Sequence, residues 1–159
     1  MNCNAPLKLI VNRHSCEKAG LNLQEQSLFS LIWNMISDSG TPIAASELVL
    51  NPDGSVYHLK LLPEQLADTI LVVGDQGRVE TISSHFDRIE HKVSNREFVT
   101  HTGYYKGKRL SALSTGIGTD NLDIVVNELD ALVNIDLKSR ILRTQHTSLN
   151  IIRIGTSGT

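Results

Sequence analysis

Apolar and polar positions switch between strand-like and helix-like spacing through most of the chain. The run DTILVV (68–73) becomes continuously apolar, as in a strand that is covered on both faces. RVETISSHF (78–86) and LDIVVNELDALVNI (122–135) instead repeat apolar residues at helical spacing and predict two amphipathic helices. A second apolar run, LNIIRI (149–154), predicts another strand of the buried type.

Two further segments carry strand patterns. EFVTHTGYYKGKRLSALST (97–115) predicts a hairpin with residues 106–107 at its turn, and YHLKL around His58 alternates like an edge strand. Because the predicted strands alternate with helices, we expect an α/β fold with a layered sheet.

Residues 1–43 differ from the rest and are interpreted as a leader or a docking helix. QEQSLFSLIWNMI (24–36) places apolar residues at helical spacing and predicts one amphipathic helix. The alternative for this leader is a targeting or partner-binding role. Residues 44–159 are expected to form the folded domain.

Composition excludes several classes of partner. The 159 residues carry a net charge of −2, which offers no electrostatic attraction for nucleic acid or an anionic membrane. The six histidines have no metal-ligand spacing. Cys3 and Cys16 are the only cysteines and form no CxxC motif, so we expect a reduced, cytoplasmic protein. A disulfide between the two cysteines is the alternative.

Three segments share one design, in which an apolar strand runs into a glycine turn. They are LVVGDQGRV (71–79), LSTGIGTDN (113–121) and IIRIGTSGT (151–159). Ligands of open α/β sheets bind at the carboxyl ends of strands, and the exposed N–H groups of such turns suit an anion. TGIGTDN (115–121) lacks the third glycine of a dinucleotide fingerprint, because Asn121 stands there.

Two arginines beside these turns have both an ordinary and a functional interpretation. If Asp75 caps the helix that follows, Arg78 lies in the first turn of that helix, where a positive charge is unfavourable because of the helix dipole. A bound anion would compensate for this; the alternative is that the Arg78 side chain points into solvent. Arg153 interrupts an apolar strand, and a buried guanidinium must be paired, either with a carboxylate such as Glu97 or Asp123 or with a phosphate.

The ordered set YHL, VVGDQGRVETIS, NREFVTHTGYYKGKRLSALSTGIGTDN, VNELDAL and IIRIGTSGT resembles the nucleoside phosphorylase family, and within it is most similar to the uridine phosphorylases. The resemblance implies a three-layer αβα sandwich with a central mixed sheet, incomplete at the C-terminus. It also implies phosphorolysis of a nucleoside to free base and pentose 1-phosphate, in nucleoside catabolism and pyrimidine salvage.

Site residues follow from the resemblance position by position. For phosphate it implies the Gly74 N–H, Arg78, Arg153 and Thr156, with Arg96 reaching the phosphate of a neighbouring subunit. His58 resembles the histidine that reaches a neighbour's ribose 5′-hydroxyl. A lone histidine such as His58 or His101 is more often structural, which is the alternative for both.

The two roles that cross a subunit boundary imply a homodimer as building block, in a hexamer when the protein is full length. Inorganic phosphate is the expected co-substrate, with no other cofactor. Some relatives hold a monovalent cation near the positions of Glu97 and Ile117, although Asn121 replaces a serine that is usual there.

The chain departs from the family pattern in three places. Gln76 and Gly77 replace a proline and an aspartate, and glycine loosens a first helical turn by up to about 1 kcal/mol. DLKSRILRTQHTS (136–148) is longer than in the best-known relatives and is expected to form an extra hairpin or excursion. Family chains continue well past the last turn, so we expect an amino-terminal fragment that is inactive alone.

Two other functions compete with phosphorolysis. One is a truncated, non-catalytic module that binds phosphate or pairs with subunits. The other is a relative that hydrolyses nucleosides with water, against which the three arginines suited to an anion argue.

Overall fold

A computed structural model describes residues 40–155 of the chain. The helix predicted over 24–36 and the phosphate ligand Thr156 lie outside the described residues. A 3₁₀ turn occupies Pro63–Gln65. The strands are β1 (Thr69–Val73), β2 (Arg88–Asn95), β3 (Phe98–Tyr105), β4 (Lys108–Ser114), β5 (Ile135–Asp136), β6 (Ile141–Leu142) and β7 (Asn150–Arg153). The helices are α1 (Gln76–Ser83) and α2 (Thr119–Asn134).

Five strands form a mixed sheet in the order β2-β3-β4-β1-β7. β1 runs parallel to β4 on one side and to β7 on the other, whereas β2, β3 and β4 form an antiparallel meander. The predicted hairpin at residues 97–115 is confirmed, with Tyr105 opposite Lys108 across its turn. β2 was not predicted, because its charged and polar residues give a largely exposed strand without a clear apolar face.

Helices cover both faces of the sheet, which confirms the three-layer αβα arrangement around a mixed sheet. On one face, Val79 of α1 packs with Val73 and Ala112, as its helical spacing predicts. On the other face, Val125 and Leu129 of α2 pack in a larger cluster with sheet residues. The members of that cluster from the sheet are Ile70, Val72, Phe98 and Leu113.

The expectation that LNIIRI forms a buried strand is half wrong. β7 exists, but all four of its residues are exposed. β7 pairs only with β1 within residues 40–155, so its outer edge is open and neither helix covers it. The apolar pattern predicted the strand correctly, whereas burial requires neighbours that an apolar pattern does not supply.

Two smaller expectations have opposite outcomes. β5 and β6 pair antiparallel, which confirms the extra hairpin expected at residues 136–148, although its pairing starts one residue earlier, at Ile135. YHLKL around His58 is not an edge strand, because residues 57–59 form a turn after a single bridge between Leu50 and Val56. Within residues 40–155, neither helix has the length and apolarity that a membrane crossing requires.

Candidate functional site

The glycine turns after β1 and β4 and the end of β7, which is described to Gly155, meet at one edge of the sheet. Because β1, β4 and β7 are parallel, their carboxyl ends point the same way. The Thr115 N–H donates to Val73 O and the Ile154 N–H donates to Val72 O, each at 2.8 Å, so both neighbouring turns are fastened to the end of β1. Gly74 follows directly after these two acceptors. We call this end of the sheet the carboxyl edge.

The turn between β1 and α1 adopts the capped form that the sequence suggested. The Asp75 carboxylate accepts a hydrogen bond from the Gly77 N–H at 3.0 Å, and the Arg78 N–H donates to Asp75 O at 3.2 Å. Arg78 therefore lies in the first turn of α1, where a cation is unfavourable without a compensating anion. Its guanidinium makes no hydrogen bond or ion pair within residues 40–155, which leaves it available for a ligand.

Arg96 reaches the same edge from the β2–β3 turn. It adopts a positive φ of 54° there, and its carbonyl accepts a hydrogen bond from Gln76 Nε2 at 2.7 Å. Glu97, which follows Arg96, is bound in turn by β4, because the Ser114 hydroxyl donates to Glu97 O at 2.7 Å. Gln76, which replaces the family's usual proline, thus ties the start of α1 to the turn that carries Arg96.

Arg153 is not buried, contrary to expectation. It lies on the exposed edge strand β7 and forms no ion pair with Glu97, Asp123 or any other described residue. Its Cα is in register with Val72, whose side chain belongs to the α2-side cluster, whereas α1 carries Arg78 on the opposite layer. Arg153 therefore belongs to the α2 face of the sheet and Arg78 to the layer on the opposite face.

Glu97 and the loop that contains Ile117 lie side by side. A Cβ on Gly116 would meet Glu97 Cγ at 3.1 Å and Asn121 Nδ2 at 2.8 Å, and Gly116 has a positive φ of 67°, so only glycine fits. Asn121 Nδ2 donates to Ile117 O at 3.3 Å. The Glu97 side chain, the Ile117 carbonyl and Asn121 therefore lie close together in one chain, and the monovalent cation expected there stays a prediction.

His58 lies in a turn whose polar groups are bound by distant side chains. Its Nδ1 is 2.7 Å from Glu128 Oε1, and its N–H donates to the same oxygen at 2.8 Å. Asn95 Nδ2 donates to His58 O at 2.7 Å. Since Asn95 directly precedes Arg96, the structure brings together the two residues for which the resemblance implies a role in a neighbouring subunit.

His101 has the structural role that is expected of a lone histidine. It is buried beneath α1, and its Nδ1 is 2.7 Å from the Ser83 hydroxyl. Burial lowers the pKa of His101 because the charged ring loses its hydration, with a smaller contribution from Lys92. A buried, neutral histidine on the α1 side of β3 serves packing and hydrogen bonding.

Three residues near the site were missed by sequence reasoning: Gln76, Asn95 and Glu128. Each acts on the main chain or ring of a residue 20 to 70 positions away, a distance over which periodicity carries no information. Glu128 did carry one signal. It follows Val125 by three positions, which places a carboxylate beside the apolar stripe of α2.

Comparison with known protein families gives a match over most of the sheet. The family model described as the phosphorylase superfamily matches residues 68–159, which is more than half of the chain. The matched stretch contains all three glycine turns and the three arginines.

Curated relatives include both uridine and purine nucleoside phosphorylases. Uridine phosphorylase of Thermococcus kodakarensis is 41% identical over 80 residues, covering 50% of this chain and 29% of the relative. A DeoD-type purine nucleoside phosphorylase of Thermoanaerobacter sp. is 37% identical over 103 residues, covering 64% of this chain and 38% of the relative. The chain thus spans about a third of the length of the curated relatives it matches.

Solved structures agree with the sequence matches. A Trypanosoma brucei nucleoside phosphorylase that shows uridine phosphorylase activity superposes with a TM-score of 0.64 at 38% identity, over 70% of this chain and 39% of that one. A uridine phosphorylase of the oomycete Phytophthora capsici superposes with a TM-score of 0.58 at 31% identity, over 73% of this chain and 36% of that one.

Proposed function

Because the chain belongs to the phosphorylase superfamily, we propose that the protein catalyses phosphorolysis of a nucleoside, uridine in the first place, to the free base and pentose 1-phosphate. The observation that carries this proposal is the carboxyl edge. Arg78, Arg96 and Arg153 belong to segments that end or begin there, and none of the three forms an ion pair within residues 40–155. A phosphate dianion is the ligand such a group binds best.

The reaction needs positioning more than proton transfer on the phosphate side. A phosphate oxygen forms a bond to the anomeric carbon of the sugar while the glycosidic C–N bond breaks and its electrons leave with the base. Positive charge develops on the sugar in the transition state, and a phosphate held below the ring both stabilises that charge and attacks. Arg78, Arg153 and the Gly74 N–H would hold the phosphate, together with Thr156.

Two residues act across a subunit boundary in this proposal. Arg96 would contact the phosphate of a neighbouring subunit, and His58 the 5′-hydroxyl of that neighbour's ribose. The hydrogen bond from Asn95 to His58 O supports the proposal, because Asn95 directly precedes Arg96 and the bond therefore keeps His58 close to Arg96. We accordingly propose a homodimer as the working unit and a hexamer as the assembly of the whole protein, acting in the cytoplasm.

Uridine is favoured over a purine nucleoside by a small difference in sequence identity to the relatives. The relative at 41% identity and the structural neighbour at 38% are a uridine phosphorylase and an enzyme with that activity, but purine nucleoside phosphorylases reach 37%. Within residues 40–155 we assign no side chain to the base, so we expect the 159 residues alone to bind phosphate without turning over nucleoside.

The test is an assay of the protein expressed from its complete transcript. Uridine and phosphate should give uracil and ribose 1-phosphate faster than inosine gives hypoxanthine. Replacing Arg78 or Arg153 by alanine should raise the KM for phosphate about 10- to 100-fold, because each substitution removes hydrogen bonds to a charged ligand. Arg88→Ala is the matched control, since Arg88 begins β2 at the opposite end of the sheet.

Three results would contradict the proposal. An unchanged KM for phosphate in both variants would remove the arginines from the site. Release of base without phosphate would identify a hydrolase. Phosphate binding without turnover of any nucleoside by the whole protein would identify a binding module.

A further inference from the structure

The turn that carries His58 is bound by a side chain that is distant in sequence. The Glu128 carboxylate, on α2, accepts from the His58 N–H at 2.8 Å through Oε1 and from the Leu59 N–H at 2.8 Å through Oε2. The same Oε1 lies 2.7 Å from His58 Nδ1. One side chain, 70 positions away in sequence, therefore binds two main-chain donors and the imidazole ring.

Other groups complete the restraint on His58. Asn95 Nδ2 binds the His58 carbonyl at 2.7 Å. The ring packs edge-on against Tyr57, with centroids 4.9 Å apart, and against Phe98 at 6.3 Å. The main-chain N–H, the carbonyl, Nδ1 and the ring itself each have a partner, whereas Nε2 has none within residues 40–155.

The partner at Nδ1 determines what Nε2 can do. An ionised carboxylate only accepts hydrogen bonds, so Nδ1 must carry a proton. In a neutral imidazole the other nitrogen then has a free lone pair and accepts a hydrogen bond. The His58 side chain is 30% exposed while that of Glu128 is only 13% exposed, so the imidazole is the more accessible member of the pair.

We propose that Glu128 is a positioning residue that holds His58 in the Nδ1–H tautomer and so presents Nε2 as an acceptor for a ligand hydroxyl. A purely structural role for Glu128 would need only the two main-chain hydrogen bonds. The further contact with Nδ1, on a side chain that is 30% exposed, points to the ring as the object of the arrangement. That the hydroxyl belongs to a ribose held by a partner subunit rests on the proposed function.

The first test does not depend on activity. Long-range ¹H–¹⁵N NMR spectra of the 159-residue chain at alkaline pH report which imidazole nitrogen bears the proton, and His58→Ala assigns the signals. We expect a protonated Nδ1 and an unprotonated Nε2 at His58. Glu128→Ala should lose this preference and give an average of both tautomers, whereas Asp123→Ala, which removes an exposed carboxylate from the same helix, should retain it.

The wild-type spectrum alone decides the claim if Glu128→Ala does not fold. A proton on Nε2 of His58 in the wild-type chain would overturn the proposal. A tautomer that is unchanged in a folded Glu128→Ala variant would overturn it as well.

The second test uses kinetics of the protein expressed from its complete transcript. Glu128→Ala should raise the KM for nucleoside about tenfold, through loss of one well-oriented hydrogen bond, and leave the KM for phosphate unchanged. With a 5′-deoxynucleoside as substrate, wild type and Glu128→Ala should have the same KM.

Equal losses with both substrates would mean that Glu128 supports the fold and does not position His58. If the wild-type protein catalyses no phosphorolysis, the proposed function fails. The tautomer measurement then still decides whether Glu128 positions the ring.

Discussion

β1 and β7 lie side by side in the sheet, and both are apolar runs of similar composition. Ile70 and Ile151 are in register across the two strands, yet Ile70 is 0% exposed and Ile151 is 47% exposed. β1 has a strand on each side, and its residues contribute to the clusters on both faces. β7 has one neighbour within residues 40–155. An apolar run thus predicts a strand, while its burial is decided by elements elsewhere in the chain.

The largest effect should come from the matched isoleucine pair. Ile70→Ala should reduce the free energy of unfolding by about 2–5 kcal/mol, because it leaves a cavity in the larger core cluster. Ile151→Ala should cost less than about 1 kcal/mol, since half of that side chain is already in water. Urea unfolding of both variants measures the difference, and equal losses would mean that β7 is buried in solution.

Alanine substitutions at two glycines, one in the covered part of the sheet and one after β7, should differ in the same direction, with a smaller loss of stability. A Cβ on Gly103 in β3 would lie 2.3 Å from Arg88 O and 2.8 Å from Phe86 Cδ2, so Gly103→Ala should destabilise the chain by about 1–3 kcal/mol. At Gly155, just after β7, a Cβ would meet no described atom within 4 Å. Gly155→Ala should therefore leave the unfolding midpoint unchanged, and a comparable loss there would contradict the open edge.

The covered part of the sheet should also respond to pH. Because burial lowers the pKa of His101 from about 6.5, the unfolded chain binds a proton at a pH where the folded chain does not. The free energy of unfolding should therefore fall as the pH drops below about 6.5. His101→Asn keeps a donor toward Ser83 and should flatten this fall, whereas His146→Asn, at an exposed position before β7, should not. Identical pH profiles for wild type and His101→Asn would show that His101 is not the titrating group.

The smallest effect on stability should be at the open edge itself. Ile152→Lys on β7 places a charge where Ile152 is 51% exposed, and it should change the unfolding midpoint of the 159-residue chain little. It should reduce association of that chain, because a charge on an edge strand opposes edge-to-edge pairing. Light scattering at increasing concentration measures this, and a large loss of stability would show that the edge is covered.

Local pattern predicted β1, the β3–β4 hairpin and both helices, since each is specified by period, glycine turns or capping within a few residues. It failed at β2, whose residues are mostly charged or polar, and at the segment around His58, where a carboxylate from α2 holds a turn in place of the expected strand. Both failures have the same cause, which is that partners distant in sequence override a weak local preference.

The candidate site divides in the same way. The place of Gly74 and Arg78 in a capped turn between strand and helix could be predicted because an apolar strand, a glycine and a capping aspartate are neighbours in sequence. The exposure of Arg153 could not be predicted, because it depends on what lies beyond β7 in the sheet. Gln76 and Glu128 act on residues 20 and 70 positions away and leave no periodic signal.

Titration of the ¹⁵N-labelled 159-residue chain with inorganic phosphate, at constant ionic strength maintained with chloride, tests the carboxyl edge most directly. We expect saturable shifts of the Gly74, Arg78 and Gly155 amide signals, with none at the opposite end of the sheet around Lys106. Shifts confined to that opposite end, or no saturable shift at any amide, would contradict this expectation.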